Sequence, residues 1–208
     1  MLALGLALAL GILAAVRRHT TIDFSIGVLT ALGTAMPNFW LAILLILMFA
    51  LYLRILPSAG VVPVSLDPVG HVAALVLPTI TLGASYFANL TRLTRAKMME
   101  VLGSNYIRTA RAKGMLEARV LWVHALRNSL LPVLSILGVS ISRLYGGAVV
   151  TETIFALPGT GTLLVESILS RDFPVVQGII IVVTVGVFLT NFVIALAYAV
   201  VDPRVRHQ

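Results

Sequence analysis

Residues Arg92–Arg127 read RLTRAKMMEVLGSNYIRTARAKGMLEARVLWVHALR. They hold Arg92, Arg95, Lys97, Arg108, Arg111, Lys113, Arg119 and Arg127, more than half of the chain's 15 Lys and Arg. Apolar residues run between these charges, so the segment is not a solvated basic tail. The sequence on either side is of another kind. Val72–Leu90 and Ser129–Thr151 are apolar, and Arg143 is the only charge in either.

Working outward, the whole chain follows that contrast. It has 208 residues, 59% apolar and 11% charged, with a mean hydropathy of +1.03. A soluble domain spends about a quarter of its residues on charge. Several runs approach the ~20 apolar residues that cross ~30 Å of hydrocarbon. The fold class is therefore all-α, a polytopic transmembrane helical bundle in one domain over residues 1–208. Five crossings are expected: Met1–Val16, Ile26–Leu53, Val72–Leu90, Ser129–Thr151 and Val175–Val201. Proline at Pro37-Asn38 breaks the second, because its ring removes one helix hydrogen bond and clashes with the preceding turn. Residues 54–70 and 152–174 read as extracytoplasmic loops, and 92–128 as a cytoplasmic region between the third and fourth crossings.

Alternation of sides tests this layout. The inside receives Arg17, Arg18, the eight basic residues of the central segment, Arg204 and Arg206; the outside receives Arg54 and Arg171. That is a strong positive-inside bias, with the C-terminus cytoplasmic. The net charge of +7 is thus spent on orientation and gives no reason to expect a nucleic-acid partner. With no cysteine there is no thiolate nucleophile and no Cys-based metal site. No Gly-x-x-x-x-Gly-Lys-[Ser/Thr] phosphate loop occurs, so any ATP used must be bound by another chain. No His-Glu-x-x-His and no paired intramembrane Asp occurs, which leaves no motif for intramembrane catalysis.

Within the central segment, Gly103-Ser104-Asn105 predicts a helix stop followed by a start, with Gly103 as a left-handed cap and Ser104 or Asn105 accepting the first free amides. Tyr106–Lys113 is then about two turns, closed by Gly114. Tyr106 and Ala110 share a face with Ile107 beside them, and Arg108, Arg111 and Lys113 spread round the rest. A second helix is expected over Leu116–Asn128, with Leu116, Val120 and Val123 on one side and Glu117, His124 and Asn128 on another. Two settings fit the short helix. It lies as a basic amphipathic helix on anionic lipid, or it seats in a protein groove, which better suits Gly at both ends and small Ala at the middle.

The run Tyr106-x-Arg108-Thr109-Ala110-Arg111-Ala112-Lys113-Gly114, followed by His124-Ala125-Leu126-Arg127-Asn128 and Leu131-Pro132, resembles the coupling loop of ABC-importer permeases. It is nearest the dipeptide, oligopeptide and nickel branch. Gly146–Phe155 with Pro158-Gly159-x-Gly161, Arg171–Gly178, and Asp202-Pro203-Arg204-Val205-Arg206 resemble later stretches of that branch in the same order. There are departures. Arg108-Thr109-Ala110 stands where the general motif has Glu-Ala-Ala, and Asn105 stands where this branch commonly has Asp. The resemblance also implies an N-terminal span that this sequence lacks.

The resemblance implies a permease subunit in a bacterial or archaeal inner membrane. Tyr106, Arg108, Thr109, Ala110, Arg111, Ala112, Lys113 and Gly114 would couple it to an ATPase subunit. Its implied partners are the ABC ATPase subunits, a second permease subunit, an extracytoplasmic solute-binding protein and membrane lipid. Arg143 either lines the translocation path or makes an interhelical bond. Glu152 is expected to order a turn with Pro158-Gly159, Gly146-Gly147 to let helices approach closely, and His71 and His124 to make interfacial hydrogen bonds. A membrane scaffold or channel subunit without ATP coupling is the competing function, and it has no use for a capped basic loop.

Overall fold

The computed structural model describes residues 2–201, with side chains described for 4–129, 133 and 144–196. The regular structure among them is helical throughout. In chain order it comprises α1 (Leu2–Val16), α2 (Thr21–Ala35), α3 (Asn38–Leu45), α4 (Pro68–Leu102), α5 (Asn105–Ala112), α6 (Glu117–Arg119), α7 (Leu126–Ile154), α8 (Thr160–Leu169) and α9 (Phe173–Val201). Two π-helical stretches complete it: Ile46–Tyr52 continues α3, and Val120–Ala125 leads from α6 into α7. The all-α expectation holds.

Among the described residues, α4 and α9 are long and apolar enough to cross a membrane, and α2 with α3 and its π-helical extension adds a third if that broken pair is one span. Helix α1 has 15 residues, which at 1.5 Å each reaches only ~22 Å. Helix α7 has 29 residues, but the side chains at 130–132 and 134–143 lie outside the described ones. The break expected at Pro37-Asn38 is present, with Pro37 extended at φ −61° and ψ 140°. Helix α2 starts earlier than Ile26 because Thr20 and Asp23 tie its first turn. The Thr20 hydroxyl accepts the Asp23 amide at 3.4 Å, and the Asp23 carboxylate accepts the His19 amide at 3.1 Å.

The chain resolves into two compact units, one of Met1–Thr34, Tyr86–Val139 and Phe192–Gln208, the other of Ala35–Ser85 and Ser140–Asn191. In the first, small residues set the helix spacing. Ala7, Ala14 and Ala15 are buried, and a methyl group added at Gly11 would stand 2.6 Å from the Thr94 Cβ and 2.8 Å from the Thr91 carbonyl. A stripe of Ala7, Gly11 and Ala15 at four-residue spacing thus lets α1 lie directly on α4, as small residues do in membrane bundles.

In the second unit Ala42, Leu77 and Phe155 form the core. The Gly60 amide donates to the Phe155 carbonyl at 2.8 Å, which binds the 54–70 loop to the end of α7. Glu152 orders the next turn as expected. Its carboxylate accepts the amides of Gly161 at 2.7 Å and Thr162 at 3.1 Å, capping α8. Side chains at Gly159 or Gly161 would overlap that carboxylate. Of the pair Gly146-Gly147 expected to let helices approach closely, Gly146 makes no such approach among the described residues, where an added Cβ would meet nothing within 4 Å.

Candidate functional site

The sequence-predicted site residues fall on α5 and its two flanks. Helix α4 ends at Leu102 and α5 begins at Asn105, so the expected stop and start are there, but their chemistry differs. Gly103 is not left-handed. The Ser104 hydroxyl donates back to the Val101 carbonyl and makes no cap bond to α5. The end of α5 is as expected. Gly114 is left-handed at φ +76°, its amide donates to the Arg111 carbonyl at 2.9 Å, and the Met115 amide donates to the Ala110 carbonyl at 3.3 Å.

The faces of α5 are sharply sorted. Ile107 and Ala110 are buried with Ala15, Met98, Val120 and Ala125. Ala110 therefore faces the chain's own core. At 3.6 residues per turn, the opposite ridge is Asn105, Thr109 and Ala112, all exposed. This ridge is small and polar. Arg108 borders it on one side and Lys113 on the other. Tyr106 lies at the flank, half exposed, and is held there. Its hydroxyl accepts from the Asn128 amide nitrogen at 2.9 Å and donates to the His124 carbonyl at 3.3 Å. Asn128 also donates to that carbonyl at 3.1 Å. Tyr106, His124 and Asn128, distant in the motif, are one contact.

The helix expected over Leu116–Asn128 forms, but its faces are not those predicted. Val120 and Ala125 are buried, whereas Leu116 and Val123 are 79% and 52% exposed. Leu116 precedes the helix, with non-helical φ −57° and ψ 134°, and Val123 is displaced by the π-helical turn at Val120–Ala125. There the repeat runs i to i+5, so residues five apart share a face and 3.6-residue counting fails. Trp122 is turned outward by the same turn, 64% exposed.

Arg111 is already engaged. It clamps Glu117 with Nη2–Oε1 at 2.5 Å and Nε–Oε2 at 3.1 Å. That hydrogen-bonded clamp holds the Glu117 carboxyl below its ordinary range and raises the guanidinium, against the opposing cost of burial in each case. The pair pins the turn after α5.

Asp23 was invisible to motif reading, yet it is bonded to the site. It is 8% exposed, and its carboxylate takes Arg95 Nε at 2.6 Å and Nη2 at 2.8 Å. The signal was present, since Asp23 is the only carboxylate between the N-terminus and Asp67, and a lone acid in an apolar run calls for a cation. His71 makes a hydrogen bond, its Nδ1 lying 2.7 Å from the Val62 carbonyl. Arg143 lies in α7 with its side chain outside the described residues, as does the whole of Asp202–Arg206.

Residues 7–207 match the family model described as the binding-protein-dependent transport system inner membrane component. A protein of Brucella abortus (strain 2308), provisionally named a peptide transport system permease, is 44% identical over 199 residues, covering 96% of this chain and 63% of its own length. The oligopeptide transport system permease protein AppB of Bacillus subtilis (strain 168) is 41% identical, over 100% of this chain and 66% of its own length. The dipeptide transport system permease protein DppB of Escherichia coli (strain K12) is 39% identical, over 99% and 68% respectively. The chain spans just under two thirds of the Brucella and Bacillus proteins.

Proposed function

This chain belongs to the family of inner-membrane components of binding-protein-dependent transport systems, and on that premise we propose that it is a permease subunit of an ATP-driven importer of dipeptides or oligopeptides. The peptide assignment follows the names of relatives at 39% to 44% identity. The transport class is not an enzyme class, and the subunit's work is mechanical. Residues 92–128 face the cytoplasm with the C-terminus, 54–70 and 152–174 face the outside, and five crossings lie between them. Two ATPase subunits dock inside, a second permease subunit completes the path, and a solute-binding protein delivers cargo from outside.

The observation that carries this reading is the sorting of α5. One face is locked into the chain by Ile107 and Ala110, and the other offers Asn105, Thr109 and Ala112 without bulk. A short helix built this way passes a push from a partner to its own core. Tyr106 with Asn128, and Arg111 with Glu117, brace it at both ends. Lys113 beside the ridge suits an acidic group on the ATPase. Gly114 turns the chain away, so nothing overhangs the seat.

Coupling requires a difference in affinity. Reversing a 1:99 population of inward- and outward-open states takes about 5.5 kcal/mol of preferential binding to one state. Docking of equal strength in both states moves nothing. The test is a single cysteine at Ala112 in this cysteine-free chain. It should cross-link to the ATPase subunit of the purified complex, at a yield that changes on ATP binding. A complex that transports peptide while Ala112→Cys never reaches an ATPase would return the assignment to a scaffold or channel without ATP coupling.

A further inference from the structure

The cleft on the side of α5 away from Tyr106 is not absorbed by the coupling role. It encloses about 280 Å³ between the end of α1, the end of α4 and α5. Four charged side chains line it: Arg18, Arg108, Arg111 and Glu117. Glu117 is neutralised by Arg111. Arg18 and Arg108 make no ion pair among the described residues, so the cleft keeps an excess of two positive charges. A second hollow of about 260 Å³ adjoins it, lined by Ile12, Leu13, Trp122 and Leu126 among apolar residues only. Val16 and Leu121 line both. A basic recess and an apolar hollow therefore lie side by side against the end of α1, with an exposed Trp122 at the apolar one.

We propose that these two adjoining hollows together bind one anionic phospholipid, its phosphate between Arg18 and Arg108 and an acyl chain along Ile12, Leu13 and Trp122. Charge complementarity selects the occupant. An apolar segment of protein has no use for two unpaired arginines, and a free anion has none for the apolar half. Basic recesses at the cytoplasmic ends of membrane helices hold anionic headgroups for this reason, and Trp favours the interface where head meets chain. Lipid seated here would brace the end of α1 against α5. The site is independent of the ridge of Asn105, Thr109 and Ala112.

Native mass spectrometry of the purified transporter complex tests this directly. The unmodified complex should retain phosphatidylglycerol in preference to phosphatidylethanolamine. Arg18→Gln with Arg108→Gln should lower that retention roughly thirty-fold, the effect of two arginines at an anionic bilayer surface. Trp122→Ala should weaken retention of the lipid, and glycerophosphate, which has the head without the chains, should not compete. On the unmodified chain a photoactivatable phosphatidylglycerol should label the peptides carrying Val16 and Leu121, a readout that needs no variant to fold. Undiminished retention in the double variant, competition by glycerophosphate, or labelling confined to other helices would each overturn the proposal. Failure here leaves the Ala112 cross-link untouched, so the two readings fall separately.

Discussion

Ala110 and Ala112 are the same residue type two positions apart, and the fold makes them opposites. The sequence places both in a small-residue helix but cannot say which faces the chain. Ala110 is 9% exposed and belongs to the core, while Ala112 is on the open ridge. Ala110→Asp therefore puts an unpaired carboxylate among Met98, Ile107 and Val120, and the expected outcome is lower membrane abundance of the chain. Ala112→Trp should leave abundance unchanged and lower peptide-stimulated ATP hydrolysis roughly ten-fold, within the usual range of coupling between sites. Measuring both quantities in each variant separates a folding residue from a docking one.

The Arg111–Glu117 clamp makes a pH prediction at the same scale. The folded carboxyl titrates below its ordinary 4.5. Its stabilisation is therefore complete above that value and is lost as pH falls through the lower folded value. Hydrogen exchange at residues 111–117 should be flat with pH above 4.5, after correction for intrinsic rates, and should lose protection below it. Glu117→Gln should remove the acid-dependent step.

Among elements, the end of α5 is legible because Gly114 takes the left-handed turn that stops a helix, while its start falls where expected without the capping chemistry expected of Gly103 and Ser104. The faces of the helix that follows are not legible. Hydrophobic periodicity encodes a face only when the repeat is known, and Val120–Ala125 adopts the wider one. The link between α2 and α4 was equally hidden, since nothing in the spacing of Asp23 and Arg95 points from one to the other. That link has a measurable weight. Asp23→Asn leaves Arg95 with a neutral partner and should cost about 2 kcal/mol, the scale of hydrogen bonds to a charged group. Replacing both by leucine should recover much of it, because the desolvation cost of the pair disappears with the pair. Thermal unfolding of the detergent-purified chain, run as a double-mutant cycle, reads both numbers. Additive losses would mean that the two side chains do not hold α2 to α4.

For the molecule as a whole, charge placement carried more information than any motif. Arg17, Arg18 and the eight basic residues of the central segment all fall in one compact unit, whereas the other holds only Arg54, Arg143 and Arg171. The same division puts residues 54–70 and 152–174 together, joined by the bond from Gly60 to Phe155. Two loops bonded to each other share one side of a membrane, and the positive-inside pattern makes the exterior the side to test for. Crossings could not be counted from apolar length alone, because α1 is too short and α2 and α3 are broken at Pro37. Sidedness is the sharper quantity, and a cysteine-free chain allows it to be measured one position at a time. Ser65→Cys, in the 54–70 loop, should react with a membrane-impermeant maleimide applied to spheroplasts. Lys113→Cys, beside the exposed ridge of α5, should react only after the membrane is opened. If Lys113→Cys is labelled in sealed cells, α5 faces away from every source of ATP, and no docking geometry can make it a coupling helix.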